Sequence, residues 1–165
     1  MASYIDRSLG DGEQVIARAR FHPLYVLAAW IAFLLPCIVF GGLIAMYLPH
    51  GDTVGDAVAG ACALLLLLTF FAGLIRLLHI WTTEIGITSH RFVEKYGLFS
   101  LRTNEIALPN IEGVRMNQSF LGRIIGYGTV RIEGTGVDAV TTPTIADPVG
   151  FVRAIQTAKE HVAGR

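Results

Sequence analysis

"LYVLAAWIAFLLPCIVFGGLIAMYL" at residues 24–48 and "AVAGACALLLLLTFFAGLI" at 57–75 decide how this chain is built. Neither run holds an Asp, Glu, Lys or Arg, and only the short stretch 49–56 separates them. Each approaches or exceeds the roughly 20 residues that cross a hydrocarbon core about 30 Å thick. Lipid offers backbone N–H and C=O groups no partner, so each run is expected to satisfy its amides within a helix. The reading is a transmembrane helical hairpin over residues 23–81, with helices near 24–48 and 57–78 and an outer loop at 49–56.

The chain has 165 residues, 53% of them hydrophobic and 16% charged, and the apolar bias is concentrated in the hairpin. An N-terminal segment, 1–22, precedes the hairpin, and a small domain of ordinary soluble composition, 82–162, follows it. Asp6, Asp11 and Glu13 lie ahead of an apolar run too long for a signal-peptide core, so no cleavage is expected. None of the 13 Lys and Arg falls in the loop, whereas Arg18, Arg20 and Arg76 flank the opposite helix ends. The positive-inside rule therefore predicts cytoplasmic termini.

Trp30, Arg76, His79 and Trp81 cluster toward that basic side and read as interfacial anchors. Arg76 has two available roles, a cation–π contact with Trp30 and snorkelling toward lipid phosphate, and anchoring is preferred. Gly41, Gly42, Ala45, Ala57 and Gly60 form small surfaces in the outer half, suited to close helix packing within the hairpin or against another copy. Pro36 lacks an N–H and is expected to kink the first helix. Cys37 and Cys62 differ in expected depth by about 9 Å at 1.5 Å per residue, too far for a disulfide. Thr69 is the principal polar group deep in the second helix, which argues against a conduction or proton-relay path.

Beyond Trp81 the hydrophobic period changes to two. Ile85 and Ile87, then Phe92 to Tyr96, Ile106 and Leu108, Ile111–Asn117, Thr129–Glu133 and Val137–Thr142 read as strands, the last two joined by a tight Gly134-Thr135-Gly136 turn. Ser119 to Gly126 reads as a short amphipathic helix, with Phe120, Leu121, Ile124 and Ile125 on one face. A final helix begins at Asp147 and Pro148 and carries the stripe Phe151, Ile155, Ala158 and Val162.

In that order, "ITSHRFVEKYGLF" at 87–99, "EIALPNIEGVRMNQSFLGRIIGYGTVRIEG" at 105–134 and the final helix resemble the bacterial pleckstrin-homology (PH) domains found beside transmembrane hairpins. The resemblance covers roughly residues 80–160. It implies a membrane protein with two transmembrane α-helices and a cytoplasmic α+β PH-like domain, a bent antiparallel β-barrel capped by a C-terminal helix. It also implies a multi-pass protein of the bacterial cytoplasmic (inner) membrane. Such proteins commonly begin with a segment like "GDGEQVIARARFHP", present here at 10–23. In that segment Val15, Ala17, Ala19 and Phe21 alternate with Gln14, Arg18 and Arg20. An isolated strand is unstable in water, so Glu13 to Arg20 is expected to pair with the domain beyond the hairpin. An interfacial helix is the alternative.

No phosphate loop, nucleophile elbow, paired-Cys zinc motif or HExxH occurs, and the five histidines are scattered. The expectation is a protein that is not an enzyme, with no catalytic residues, metal, cofactor or nucleic-acid partner. His90, Arg91, Lys95 and Arg102 are the candidates for contact with the membrane surface or lipid, because phosphoinositide-binding PH domains of eukaryotes carry several basic residues in the corresponding hairpin. From Thr82 onward, nine Lys plus Arg against eight Asp plus Glu supply no strong basic field. The leading reading is a membrane-anchored interaction or scaffold module with a protein partner. A structural subunit of a homo-oligomer or larger membrane complex is second, and a lipid-headgroup-binding module third.

Overall fold

The computed structural model describes residues 3–97 and 100–163; Leu98 and Phe99, at the end of the first family-like motif, lie outside the described residues. In chain order the elements are α1 (Tyr4–Arg7), β1 (Val15–Ala19), α2 (Pro23–Tyr47), α3 (Thr53–Thr82), β2 (Glu84–Thr88), β3 (Arg91–Tyr96) and β4 (Arg102–Ala107). There follow β5 (Ile111–Asn117), α4 (Phe120–Ile125), β6 (Tyr127–Gly134), β7 (Val137–Thr141), β8 (Ile145–Ala146) and α5 (Pro148–Ala163). The chain divides into two compact units, a helical one over Leu24–Trp81 and a mixed one made of residues up to Pro23 together with those from Thr82 onward.

In the helical unit α2 and α3 have 25 and 30 residues, or about 38 and 45 Å at 1.5 Å per residue. Both are long and apolar enough to cross a membrane. The second helix begins at Thr53, four residues earlier than Ala57, and runs on to Thr82, so the connection shrinks to a 3-10 turn at Leu48–His50 plus Gly51 and Asp52. Asp52 explains the early start. Its Oδ1 accepts the Gly55 N–H at 3.0 Å, and Asp56 places a second acid in the first turn. Acids at a helix N-terminus satisfy free amides and the dipole, so the charges that resemble a loop are the cap of a helix.

The seam of the hairpin follows a spacing of three and four. Gly55, Ala59, Cys62, Gly73, Leu77 and Ile80 are buried on α3, with Ala29 buried on α2. Gly41, Gly42 and Gly60 have no neighbour within 4 Å of where a Cβ would stand, and Ala45 and Ala57 are exposed. Those five residues therefore do not seal the hairpin on itself, because 57 and 60 fall off the stripe that passes through 55, 59 and 62. Close approach occurs instead at Gly73, where a Cβ would meet Phe33 Cδ2 at 2.8 Å. Thr69 donates its hydroxyl to the Leu65 carbonyl at 2.8 Å, and α2 continues unbroken through Pro36.

The mixed unit holds two antiparallel sheets, β1-β2-β3-β4 and β5-β6-β7, with β8 pairing β6. β1 lies beside β2 with Ala17 opposite Ile87 and Ala19 opposite Ile85. The alternation of Val15, Ala17 and Ala19 is thus used as a strand pattern, and those residues are half-buried while Ile16 and Arg18 are exposed. Beyond β1 the chain joins the other sheet: Phe21 bridges Ile145, and the Ala146 N–H donates to the Arg20 carbonyl at 2.8 Å. Ile85, Ile87, Phe92, Ile106, Val130 and Ile132 meet Phe151, Ile155 and Ala158 of α5 in one core. Asp147 caps α5 by accepting the Gly150 N–H at 2.9 Å.

Helix α1 has no counterpart in the hydrophobic periodicity, because one turn carries too few residues to show a period. Its Ile5 is buried over Gly86, where a Cβ would stand 2.9 Å from Ile5 Cδ1. The Ser3 hydroxyl and, at 3.4 Å, the Ile5 N–H donate to the Glu84 carboxylate.

Candidate functional site

The four basic residues singled out in the first hairpin of the domain do not form one patch. Arg91 opens β3 with His90 just before it, while Lys95 lies four residues beyond Arg91, about 13 Å at roughly 3.3 Å per residue. Arg102 faces Tyr96 at that far end. His90 is exposed and its Nδ1 shares a hydrogen bond with Ser89 Oγ at 3.0 Å.

Arg91 is engaged within the fold. Its Nε and Nη2 donate to Glu13 at 3.0 Å each, Nη1 donates to Glu105 at 2.8 Å and Nη2 also reaches the Ser8 carbonyl at 2.5 Å. Glu13 further accepts the Thr88 hydroxyl at 2.6 Å and the Gly10 N–H at 2.8 Å. Burial pushes the Glu13 carboxyl up, but the Gly10 amide, the Thr88 hydroxyl and the Arg91 guanidinium outweigh it and hold the group below the usual carboxylate value. Burial likewise disfavours the charged Arg91, and Glu105 and Glu13 more than restore it. A guanidinium surrounded in this way fastens the N-terminal segment to β3 and has little left to offer a lipid phosphate. The sequence shows the charge but not the Glu13 partner, 78 residues away.

Within the helical unit, Arg76 finds an aromatic partner other than Trp30. The Arg76 guanidinium lies over the Tyr25 ring at 5.6 Å, not over Trp30. The Trp30 ring is turned toward Phe33 and Trp81, at 6.2 and 6.1 Å. His79 and Trp81 are exposed.

The most unusual surface of the mixed unit is α4. Ser119 caps it, accepting the Gly122 N–H at 3.0 Å, and Gly126 ends it in the left-handed conformation at φ 87°, which glycine adopts without a Cβ clash. Phe120, Leu121, Ile124 and Ile125 are 77%, 58%, 68% and 47% exposed, so the entire apolar face points away from the core. What faces inward is Gly122, buried against the Tyr127 carbonyl, where a Cβ would come within 2.6 Å. Gln118 Nε2 secures the corner by donating to the same carbonyl at 3.1 Å. Arg123 is exposed on this helix, and Arg115 is exposed on β5. The sequence marks an apolar face; only the glycine contact shows that the face is turned out.

Gly122→Val is accordingly expected to lift α4 off β6 at a cost of about 2 kcal/mol, in the range for an overpacked site. The amides of Arg123 and Gly126, which donate to Ser119 and Gly122 carbonyls, should exchange with solvent faster while Val130 stays protected. Unchanged exchange at Arg123 and Gly126 would refute the glycine-seated helix.

Two antiparallel sheets enclosing a core with a C-terminal helix packed on it define the sheet-containing, PH-like class of domain. The sequence profile of the family described as "Bacterial PH domain" matches residues 24–158, and the chain belongs to that family. No curated protein and no solved structure matches it. The family match begins after β1, so the first strand of the sheet lies outside the matched region. Among the described residues no group of three or more His, Cys, Asp or Glu is placed to hold a metal ion.

Proposed function

We propose that the protein is a non-catalytic, membrane-anchored interaction module, holding a bent barrel-like PH domain at the cytoplasmic face of a bacterial inner membrane for a protein partner. The carrying observation is where the hairpin is inserted. The chain leaves the domain three residues after β1 and returns one residue before β2, and β1 and β2 are paired neighbours with Ala19 opposite Ile85. β4 lies at the opposite edge of that sheet from β1. Among the described strands β4 has β3 as its one neighbour, and an open edge accepts a partner strand through main-chain hydrogen bonds. The absence of basic residues in the 49–56 loop and their presence at Arg18, Arg20 and Arg76 support cytoplasmic termini.

A structural subunit of a membrane complex is the second reading, favoured by the open surfaces at Gly41, Gly42 and Gly60. The two readings separate in native membranes by placing a photoreactive side chain at Thr103 on β4 and comparing the parent with a Gly41→Leu, Gly60→Leu variant. A cytosolic protein crosslinked through Thr103 in both chains supports the interaction module. Loss of all partners in the variant, with mass determination in mild detergent showing an assembly of parent chains, supports the subunit instead.

A further inference from the structure

We propose that α4 is an interfacial wedge, its four apolar side chains seated in the lipid leaflet that faces the PH domain. The inference rests on the reading of α2 and α3 as a membrane anchor, and it adds a second site at which the domain itself meets lipid. Three observations place the wedge. First, α4 is built to face outward: a helix serving only the core would turn Phe120, Leu121, Ile124 and Ile125 inward, whereas this one is seated through Gly122.

Second, α4 ends where the chain leaves the domain for the hairpin. His22, the residue before α2, donates its N–H to the Thr144 carbonyl at 3.2 Å and sets its ring 5.2 Å from that of Tyr127. Tyr127 directly follows Gly126, the residue that ends α4, and the Gly126 carbonyl accepts the Asp147 N–H at 3.0 Å. The last residues of α4 and the exit of the chain are thus held together inside one unit.

Third, the stretch of chain that carries the wedge is basic, although the exposed Asp147 stands beside its end through the Gly126 carbonyl. From Gly113 to Ile132 the sequence has three Arg and no Asp or Glu. Glu133 engages Arg115 at 3.6 Å and Arg131 at 3.1 Å, one acid for two guanidiniums, and Arg123 stands exposed on the helix itself. Large apolar side chains beside exposed arginine suit the boundary between acyl chains and anionic headgroups. A second copy or a protein partner is the poorer occupant. A standard protein interface draws on about 20–30 residues a side, and a six-residue helix offers four large apolar side chains. A fluid bilayer needs no matching shape.

The test uses the full chain reconstituted in phosphatidylcholine–phosphatidylglycerol vesicles, with and without brominated acyl chains that quench tryptophan on contact. In a Trp30→Phe, Trp81→Phe background, Phe120→Trp and, independently, Ile124→Trp supply a single reporter on α4. Gln156→Trp on the exposed side of α5 is the control. Both α4 reporters are expected to lose roughly half their emission in brominated vesicles, as for side chains about 5–10 Å into the boundary region, and the Gln156→Trp reporter to lose little. The native Trp30 and Trp81 of the parent chain report separately on the hairpin. Quenching of those two without quenching on α4 overturns the wedge and leaves the anchor standing. No quenching anywhere removes the anchor and the wedge together. A blue-shifted but unquenched α4 reporter, meaning burial against protein, also overturns the proposal.

Discussion

Glu13→Gln is expected to lower the thermal midpoint of the PH domain by roughly 10 °C at pH 7, taking about 2 kcal/mol as the loss. The amide can still accept a hydrogen bond, but it leaves the Arg91 guanidinium, only about a quarter exposed, facing one carboxylate instead of two. The difference between parent and variant should depend on pH in a defined direction. Glu13 is held below the ordinary value of 4.5 in the folded chain, so on acidification the unfolded chain takes up this proton first. The stability that Glu13 supplies is complete above about pH 4.5 and drains as the pH falls through the depressed folded value. Thermal unfolding of both chains in detergent should therefore show a wide gap at neutral pH that narrows below pH 4. A gap that stays constant across that range would show that the carboxylate charge is not what Arg91 needs.

The second large effect concerns the helical unit. Gly73→Leu is expected to open the hairpin seam, because the new Cβ would lie 2.8 Å from Phe33 Cδ2 and 3.1 Å from Phe33 Cα. The ring can turn aside, but the backbone atom yields only if the helices separate. Overpacking costs about 1–3 kcal/mol in a well-packed core, and, on the proposed reading of α2 and α3 as a membrane anchor, no hydrophobic force draws separated helices back together in lipid. Gly60→Leu is the matched control: its Cβ position is open, and the expected change is within about 0.5 kcal/mol. Titration of the reconstituted chain with a denaturing detergent measures both. Equal sensitivity of the two variants would overturn the seam assigned to Gly55, Ala59, Cys62 and Gly73.

These two sites mark where local reading stops. The Thr53–Thr82 helix shows plainly in hydropathy, yet whether Gly60 or Gly73 lies on the seam depends on the rotation of one helix against the other. Periodicity alone offers several candidate stripes when nearly every residue is apolar. Arg91 is similar in kind: as a letter between two strands it is a basic residue in a hairpin, free to meet a phosphate. Its meaning changes once β1, carried back across the whole hairpin, brings Glu13 within 3.0 Å. At α4 the composition gave an amphipathic turn correctly bounded by Ser119 and Gly126. The direction of its apolar face depends on the contact between Gly122 and Tyr127.

Determined by sequence alone were the features that rest on near neighbours: two uncharged apolar runs, alternation in the strands and the Phe151, Ile155, Ala158 stripe of α5. Hydropathy, strand period and helix period act within a few residues, so they survive in one dimension. Tertiary structure alone decided that Glu13 holds Arg91, that Ile5 covers Gly86 and that the Phe120–Ile125 face is left uncovered. Each of these is a distance between groups that the chain brings together only by folding, and no local pattern records it.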